Sequence, residues 1–155
     1  MKKEFLGEIK GSIKGSSKLG DISSNTEFGI YGNISNINAL NIDLFKEYEV
    51  ALRNQIKLGP AKIILNIENG VRKEYDIEIK RIYKNNNIDN KSMLIKVTDE
   101  ELLNLTGGII QGMSGAPIIQ NDKFIGAITH VLVNDPEQGY AVFGDIMIKQ
   151  SREVL

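Results

Sequence analysis

The 155-residue sequence contains no cysteine and a single histidine, His130. A chain without cysteine forms no disulfide or zinc–thiolate site and has no cysteine nucleophile. One histidine is too few for a multi-histidine metal site. We therefore expect no metal and no other cofactor. The single imidazole also limits every acid–base mechanism that the chain could support.

An excess of charge of either sign is also lacking. Nineteen Lys and Arg residues stand against twenty Asp and Glu residues, which gives a formal net charge of −1. Proteins that bind nucleic acids through their phosphates are usually far more basic, so we expect no nucleic-acid partner. There is no apolar run of about 18 residues that could span a membrane, and the first eight residues carry charges where a signal peptide would be apolar. Length and composition predict a single globular domain over 1–155.

Strands dominate the sequence pattern, because isoleucine and glycine are frequent and proline is scarce. The clearest pair covers 61–68 and 72–83, joined at Asn69-Gly70, a dipeptide typical of tight hairpins. Apolar side chains alternate with charged ones from Tyr75 to Ile79. This period of two predicts one buried face and one exposed face.

Further strands are predicted over 5–13, 28–37, 92–97, 116–120, 123–134 and 139–143. The residues Asn134-Asp135-Pro136 have the chemistry of a turn, and the turn would help to shape the wall of a groove. Many short strands joined by tight turns are typical of a barrel or a sandwich.

Helical signals are few. Thr98 and Glu101 have the spacing of a capping box, which predicts a helix from 98, and Gly107-Gly108 would end it. Short helices are also predicted over 42–50 and 145–154. The fold class is therefore mainly β, with two or three short helices.

The chemistry-bearing segment covers 107–117, where Ser114 is flanked by Gly112 and Gly115. A serine nucleophile needs an exposed hydroxyl on a sharp turn, with backbone N–H groups facing the developing oxyanion. In two-barrel serine peptidases these N–H groups belong to the nucleophile and to the residue two before it, here Ser114 and Gly112. Alone, a Gly-x-Ser-Gly run is more often a simple turn before a strand.

The strand after Ser114 predicts a hairpin with its turn at Asn121-Asp122. That register places Ser114 opposite Thr129 and points His130 to the other face. A Ser114–His130 dyad is therefore the weaker alternative. In two-barrel serine peptidases the corresponding strand lines the substrate groove. Candidate groove residues that would pair with an extended peptide are therefore Thr129, His130 and Val131.

The segment 107–136, followed by Gly139-Tyr140, resembles the signature of the sporulation stage IV B (SpoIVB) serine peptidase family, and 20–32 is similar to another stretch of its peptidase domain. The resemblance implies a chymotrypsin-like fold, related to two-barrel peptidases and incomplete here at its N-terminal side. It also implies a bacterial serine endopeptidase of spore formation that needs no cofactor. Members of this family cleave themselves and a regulator of an intramembrane protease. They are exported across the forespore membrane to the space between forespore and mother cell.

By this resemblance the nucleophile falls on Ser114. The aspartate of the triad, within a Val-Thr-Asp run, falls on Asp99, which is equally well placed to cap a helix. The histidine of the family precedes both, in a Gly-His segment that has no counterpart here. We therefore expect a peptidase domain that lacks its general base and is inactive or weakly active by itself.

Two alternatives follow from the same residues. A non-catalytic, peptidase-like barrel would bind extended peptides along Thr129–Val133. If the strands of the N-terminal part are lacking, a sheet edge would be exposed, and such an edge favours a homodimer formed by strand pairing.

Overall fold

A computed structural model describes residues 18–39, 47–67, 71–83 and 91–154. These residues form mostly strands, as the sequence predicts. The strands are β1 (Gly20–Thr26), β2 (Gly29–Ile34), β3 (Glu49–Val50), β4 (Gly59–Leu65), β5 (Lys73–Ile82), β6 (Met93–Val97), β7 (Pro117–Gln120), β8 (Lys123–Leu132) and β9 (Asp135–Phe143). The helices are α1 (Glu100–Thr106) and α2 (Gly144–Val154), and a 3₁₀ turn covers Ile37–Ala39.

Six strands form a closed antiparallel barrel in the order β8-β7-β4-β5-β6-β9, because β9 pairs back onto β8. Closure leaves these strands with few free edges. The short strand β3 pairs in parallel with the start of β8. Strands β1 and β2 form a separate hairpin, and β2 packs against α2. The predicted barrel architecture is confirmed.

The barrel interior is filled by the alternating apolar side chains that the sequence predicts. On β5, Tyr75, Ile77 and Ile79 are buried and their neighbours Asp76 and Lys80 are exposed. Each isoleucine buried in this way stabilises the fold by about 1.5–3 kcal/mol relative to an exposed one. Strand alternation therefore determines which face of each strand lines the core.

Two turns differ from the sequence prediction. Asn121 and Asp122 have φ values of 50° and 58°, as a tight hairpin requires, but a bulge between Ile118 and Ile119 shifts the β7–β8 register by one residue. The predicted register is therefore correct for Ile119 and Gln120 and wrong by one residue for Pro117 and Ile118, which are nearer to Ser114. The β8–β9 turn lies at 133–134, so the prediction of a turn through Asp135 and Pro136 is wrong: β9 already begins at Asp135.

Helix boundaries also differ. Asp99, not Thr98, caps α1. The predicted helix over 42–50 is wrong at its end, because Glu49–Val50 is a strand. The predicted strand 5–13, the Asn69-Gly70 turn and positions 42–46 lie outside the described residues. Within the part of the chain that the structure describes, no helix is long and apolar enough to cross a membrane.

Candidate active site

The segment between α1 and β7 is anchored on β9. The Gly108 backbone lies so close to β9 that a methyl group on Gly108 would be 2.3 Å from the Pro136 carbonyl oxygen. The φ of Gly108 is also 135°, a value that favours glycine. The Ile109 amide donates to the same Pro136 oxygen over 2.7 Å. Strand β9 therefore sets the course of the segment five residues before Ser114.

Thr106 fixes the start of this segment. Its buried hydroxyl Oγ1 lies 2.9 Å from the Leu102 carbonyl oxygen and 2.6 Å from the Gly108 carbonyl oxygen, either of which accepts its proton. The Gly108 amide donates back to Oγ1 over 3.4 Å. A buried hydroxyl that is satisfied on both sides holds the helix end and the glycine segment together. Sequence reasoning missed Thr106, and its place directly before two glycines is the signal that could have identified it.

Ser114 lies on a turn whose neighbouring side chains point inward. Met113 and Ala116 are buried, whereas Ser114 is exposed. The Gly115 amide donates to the Ile128 carbonyl over 2.8 Å, and the Ala116 amide donates to the Met113 carbonyl over 3.0 Å. The turn is thus attached to β8 and presents the serine hydroxyl at the surface.

The Ser114 hydroxyl donates to the Thr129 carbonyl oxygen over 3.1 Å. Thr129 lies in a β8 bulge between Ile128 and His130, and its own hydroxyl donates to the Tyr140 carbonyl over 3.2 Å. The predicted proximity of Ser114 and Thr129 is therefore observed, although the register on which it was based is shifted.

The backbone at Ser114 suits an anion-binding turn. Gly112 has φ 103°, which side chains rarely tolerate. Within the described residues the Ser114 amide has no backbone acceptor. A backbone amide that is not used by the fold and lies near a glycine is the kind of donor that an oxyanion hole uses. The pairing of Gly112 and Ser114 in such a hole stays a prediction.

Among the described residues, Val131 and Leu132 at the end of β8 form a free edge on the side away from β9. The β7–β8 ladder ends at Ala127, and the Ile128 backbone still bonds to Gly115 and Ala116. A methyl group on Gly139 of β9 would lie 2.4 Å from the His130 carbonyl oxygen, so that carbonyl faces β9. Because successive residues of a strand point their backbone groups to opposite sides, the N–H and C=O of Val131 point away from β9, towards the free edge.

The His130 side chain is exposed, and His130 pairs with Tyr140 across β8 and β9. The Nζ of Lys91 lies 5.5 Å from the centre of the Tyr140 ring. Among the described residues no hydrogen bond joins His130 to the Ser114 hydroxyl, whose acceptor is Thr129. The structure thus brings Ser114 and Thr129 together without an imidazole bonded to the serine.

Asp99 is held at the other end of α1. Its Oδ1 accepts from the Leu102 amide over 3.0 Å, and its Oδ2 accepts from the Asp76 amide over 3.2 Å. Seven helical residues lie between Asp99 and Gly107, and they span about 10 Å along the helix axis. In the described residues neither oxygen is bonded to Ser114 or His130. The helix-cap interpretation of Asp99 is therefore observed, and its place in a triad stays a prediction.

The fold is similar to that of a known protease. One solved structure of Rv3671c from M. tuberculosis H37Rv, an inactive serine-to-alanine mutant, aligns with a TM-score of 0.57 and 14% identity, over 87% of this chain and 64% of that chain. The active form of the Rv3671c protease aligns with a TM-score of 0.49 and 17% identity, over 68% of this chain and 47% of that chain. This chain thus spans less than two thirds of either structure.

Sequence comparison gives a more specific result. A search of curated proteins finds no match. The family described as SpoIVB peptidase S55 matches over residues 1–148, nearly the whole sequence. With its β-barrel and its exposed Ser114, the chain therefore belongs to the SpoIVB peptidase family S55, the family of serine peptidases that the signature around Ser114 indicates.

Proposed function

We propose that this chain is a serine endopeptidase domain with Ser114 as its nucleophile. The observation that carries the proposal is the position of the Ser114 hydroxyl, which lies on an exposed, glycine-flanked turn and donates to the Thr129 carbonyl of β8. Membership of a serine peptidase family supports the same reaction class.

A substrate peptide would bind as an extra antiparallel strand along the free edge of β8. Its backbone N–H groups would reach the Thr129 carbonyl, and the backbone of Val131 would pair with it in turn. A peptide N–H on Thr129 would replace the Ser114 hydroxyl there and free that hydroxyl for reaction. The free edge therefore both aligns the peptide and releases the nucleophile.

In the acylation step, Ser114 Oγ forms a bond to the peptide carbonyl carbon and gives its proton to a base. The N–H groups of Gly112 and Ser114 stabilise the oxyanion. The C–N bond then breaks, the amine takes the proton from the base, and water later hydrolyses the ester.

The base in this proposal is an imidazole from a segment outside the 155 residues. His130 is exposed on β8 and pairs with Tyr140, and it makes no hydrogen bond to Ser114. Asp99 is the proposed carboxylate partner of that imidazole, a role compatible with its cap bonds because each carboxylate oxygen keeps a second lone pair. The chain alone would then hydrolyse peptides slowly or not at all.

The same family membership supports a role in sporulation signalling. We propose that the complete protein acts in the space between forespore and mother cell, and that its substrates are itself and a regulator of an intramembrane protease.

The proposal is tested with the complete protein, including the segment that supplies the imidazole. Ser114→Ala should abolish peptide hydrolysis. Ser35 is an exposed serine whose hydroxyl donates to the Leu19 carbonyl, and Ser35→Ala should not change the rate. Undiminished hydrolysis by Ser114→Ala would refute the assignment of the nucleophile.

A second candidate function is a non-catalytic module that binds extended peptides. It is favoured by one observation: the Ser114 hydroxyl bonds to the Thr129 carbonyl rather than to a base. This function predicts peptide affinity without hydrolysis, both in the complete protein and after Ser114→Ala.

A further inference from the structure

The peptide unit between Gly108 and Ile109 is held by hydrogen bonds on both of its sides. Its carbonyl oxygen lies 2.6 Å from Thr106 Oγ1, the shorter of the two acceptor distances of that hydroxyl. Its N–H donates to the Pro136 carbonyl over 2.7 Å. Thr106, Gly108 and Ile109 are all buried, so a lost partner would leave an unsatisfied polar group away from water. The two bonds therefore fix the direction in which this peptide unit points.

Two glycines would otherwise leave that direction free. Gly107 and Gly108 have φ values of 72° and 135°, and glycine has more accessible backbone conformations than any other residue. A reversed peptide unit would turn its carbonyl away from Thr106 and its N–H away from Pro136. Of these two partners only Thr106 contributes a side chain. A substitution at Thr106 can therefore remove one of the two bonds and leave the other in place.

The serine turn is the next feature along the chain from this peptide unit. The Met113 amide donates to the Ile110 carbonyl over 3.2 Å, which closes the turn before Ser114. The Gly115 amide donates to the Ile128 carbonyl over 2.8 Å, which attaches the far end of the turn to β8. The turn thus lies between two fixed points, the 108–109 peptide unit and Gly115. A change of direction at the first point changes the course of the backbone through the turn.

We propose that Thr106 is a positioning residue for the reaction at Ser114. Its hydroxyl holds the 108–109 peptide unit in the orientation that places the N–H groups of Gly112 and Ser114 around the developing oxyanion. This inference rests on the proposed role of Ser114 as the nucleophile. Thr106 touches neither the substrate nor the reacting atoms, and it acts through the backbone. Because the oxyanion forms only after the substrate has bound, misaligned N–H groups lower kcat and leave KM nearly unchanged.

The test measures kcat and KM for peptide hydrolysis by the complete protein carrying Thr106→Val or Thr106→Ser. Valine has the shape of threonine without the hydroxyl, whereas serine keeps the hydroxyl. Thr106→Val should lower kcat by about 10–100-fold, because a displacement of about 1 Å at the reacting groups can cost about 100-fold. KM should stay nearly the same, and Thr106→Ser should recover most of the lost kcat.

Two matched controls separate positioning from a general loss of stability. Ser92→Ala removes another fully buried hydroxyl, one that bonds to no atom of the described residues. Ile77→Val removes one methylene group from an isoleucine that is 1% exposed in the barrel core. Both should keep the parental kcat at a temperature where thermal unfolding shows every variant to be folded. An unchanged kcat in Thr106→Val, an equal loss in either control, or an equal loss in Thr106→Ser would overturn the inference.

Failure of this inference is distinguishable from failure of the proposed nucleophile. Hydrolysis that is lost in Ser114→Ala but unchanged in Thr106→Val refutes the inference alone, whereas undiminished hydrolysis by Ser114→Ala refutes the nucleophile.

Amide hydrogen exchange of the 155-residue protein gives a readout that does not depend on the chemistry of Ser114. Thr106→Val should accelerate exchange over 109–115 and leave exchange in β4 unchanged, because only the first segment loses a fixed point. Equal exchange over 109–115 in the parent and in Thr106→Val would refute the positioning role, whatever the kinetics of the complete protein.

Discussion

Replacing Asp99 by alanine should destabilise the protein by about 2 kcal/mol. The substitution removes the helix cap on the Leu102 amide, which is typically worth about 1 kcal/mol. It also removes the bond to the Asp76 amide, worth about 1 kcal/mol more. For a domain of this size the sum corresponds to a lowering of the melting temperature by about 4–8 °C.

The assay is thermal and urea unfolding of a small set of variants. Asp99→Ser keeps a capping oxygen and should recover about half of the loss, because serine is too short to bridge to Asp76. Glu100→Ala changes an exposed carboxylate in the same turn and should stay within about 0.5 kcal/mol of the parent. If Asp99→Ala is no less stable than Glu100→Ala, the structural role assigned to Asp99 is refuted.

The same variants separate the two roles of Asp99. In the complete protein, an aspartate that orients the imidazole cannot be replaced by serine, so Asp99→Ser should lose most of the acylation rate at a temperature where it is fully folded. Retention of the parental rate by Asp99→Ser would leave the helix cap as the role of Asp99.

Three further predictions concern other parts of the chain. Gly108→Ala should cost about 3 kcal/mol or more in urea unfolding, because its methyl would meet the Pro136 carbonyl. Gly59 has a φ of 109° and a methyl group there would meet nothing within 4 Å, so Gly59→Ala should cost only the strain of the positive φ. An equal loss of unfolding free energy in the two variants would contradict the contact between Gly108 and Pro136. Burial raises the pKa of the Tyr31 hydroxyl above 10.0. The unfolded chain therefore loses this proton first, and the free energy of unfolding should fall as the pH rises through 10.0 towards the raised pKa. Tyr31→Phe should remove the part of this decrease that Tyr31 causes. The same dependence of unfolding free energy on pH in the parent and in Tyr31→Phe would refute the prediction. Finally, Ile22, Ile30 and Ile34 are 60–70% exposed on the β1–β2 hairpin, so we expect a homodimer there. Light scattering should show twice the 17.2 kDa monomer mass, and a monomer after Ile30→Lys, whereas a monomeric parent would contradict the dimer.

The parts of the fold that follow local rules could be predicted from the sequence. Alternation on β5 identifies its buried face because a strand with one wet face has a period of two. Asn121-Asp122 identifies its hairpin because both residues tolerate positive φ. Gly107 ends α1 in the left-handed conformation for the same steric reason.

The parts that depend on tertiary contacts could not be predicted in this way. The bulge at Ile118 and Ile119 has no local signal, because both residues are apolar and buried. Thr98 and Asp99 are equally good caps in sequence, but the Asp99 carboxylate also accepts from the Asp76 amide of β5, a tertiary contact. Pro136 resembles a turn residue, but a proline is tolerated at the start of a strand, and its carbonyl holds Ile109 there.

For the candidate site, the glycine pattern and the hairpin predicted an exposed Ser114 close to Thr129, and this proximity is observed. The sequence did not identify Thr106 or Ile109. Their roles come from contacts with Gly108 and β9, which residue spacing does not encode.

The most direct measurement is the labelling of the 155-residue protein by a fluorophosphonate, followed by intact-mass and peptide mass spectrometry. The account predicts slow labelling that is confined to Ser114, is accelerated by added imidazole and is absent in Ser114→Ala. Rapid stoichiometric labelling without imidazole, lost on His130→Ala, would show instead that His130 is the base. Labelling that persists in Ser114→Ala would contradict the central claim.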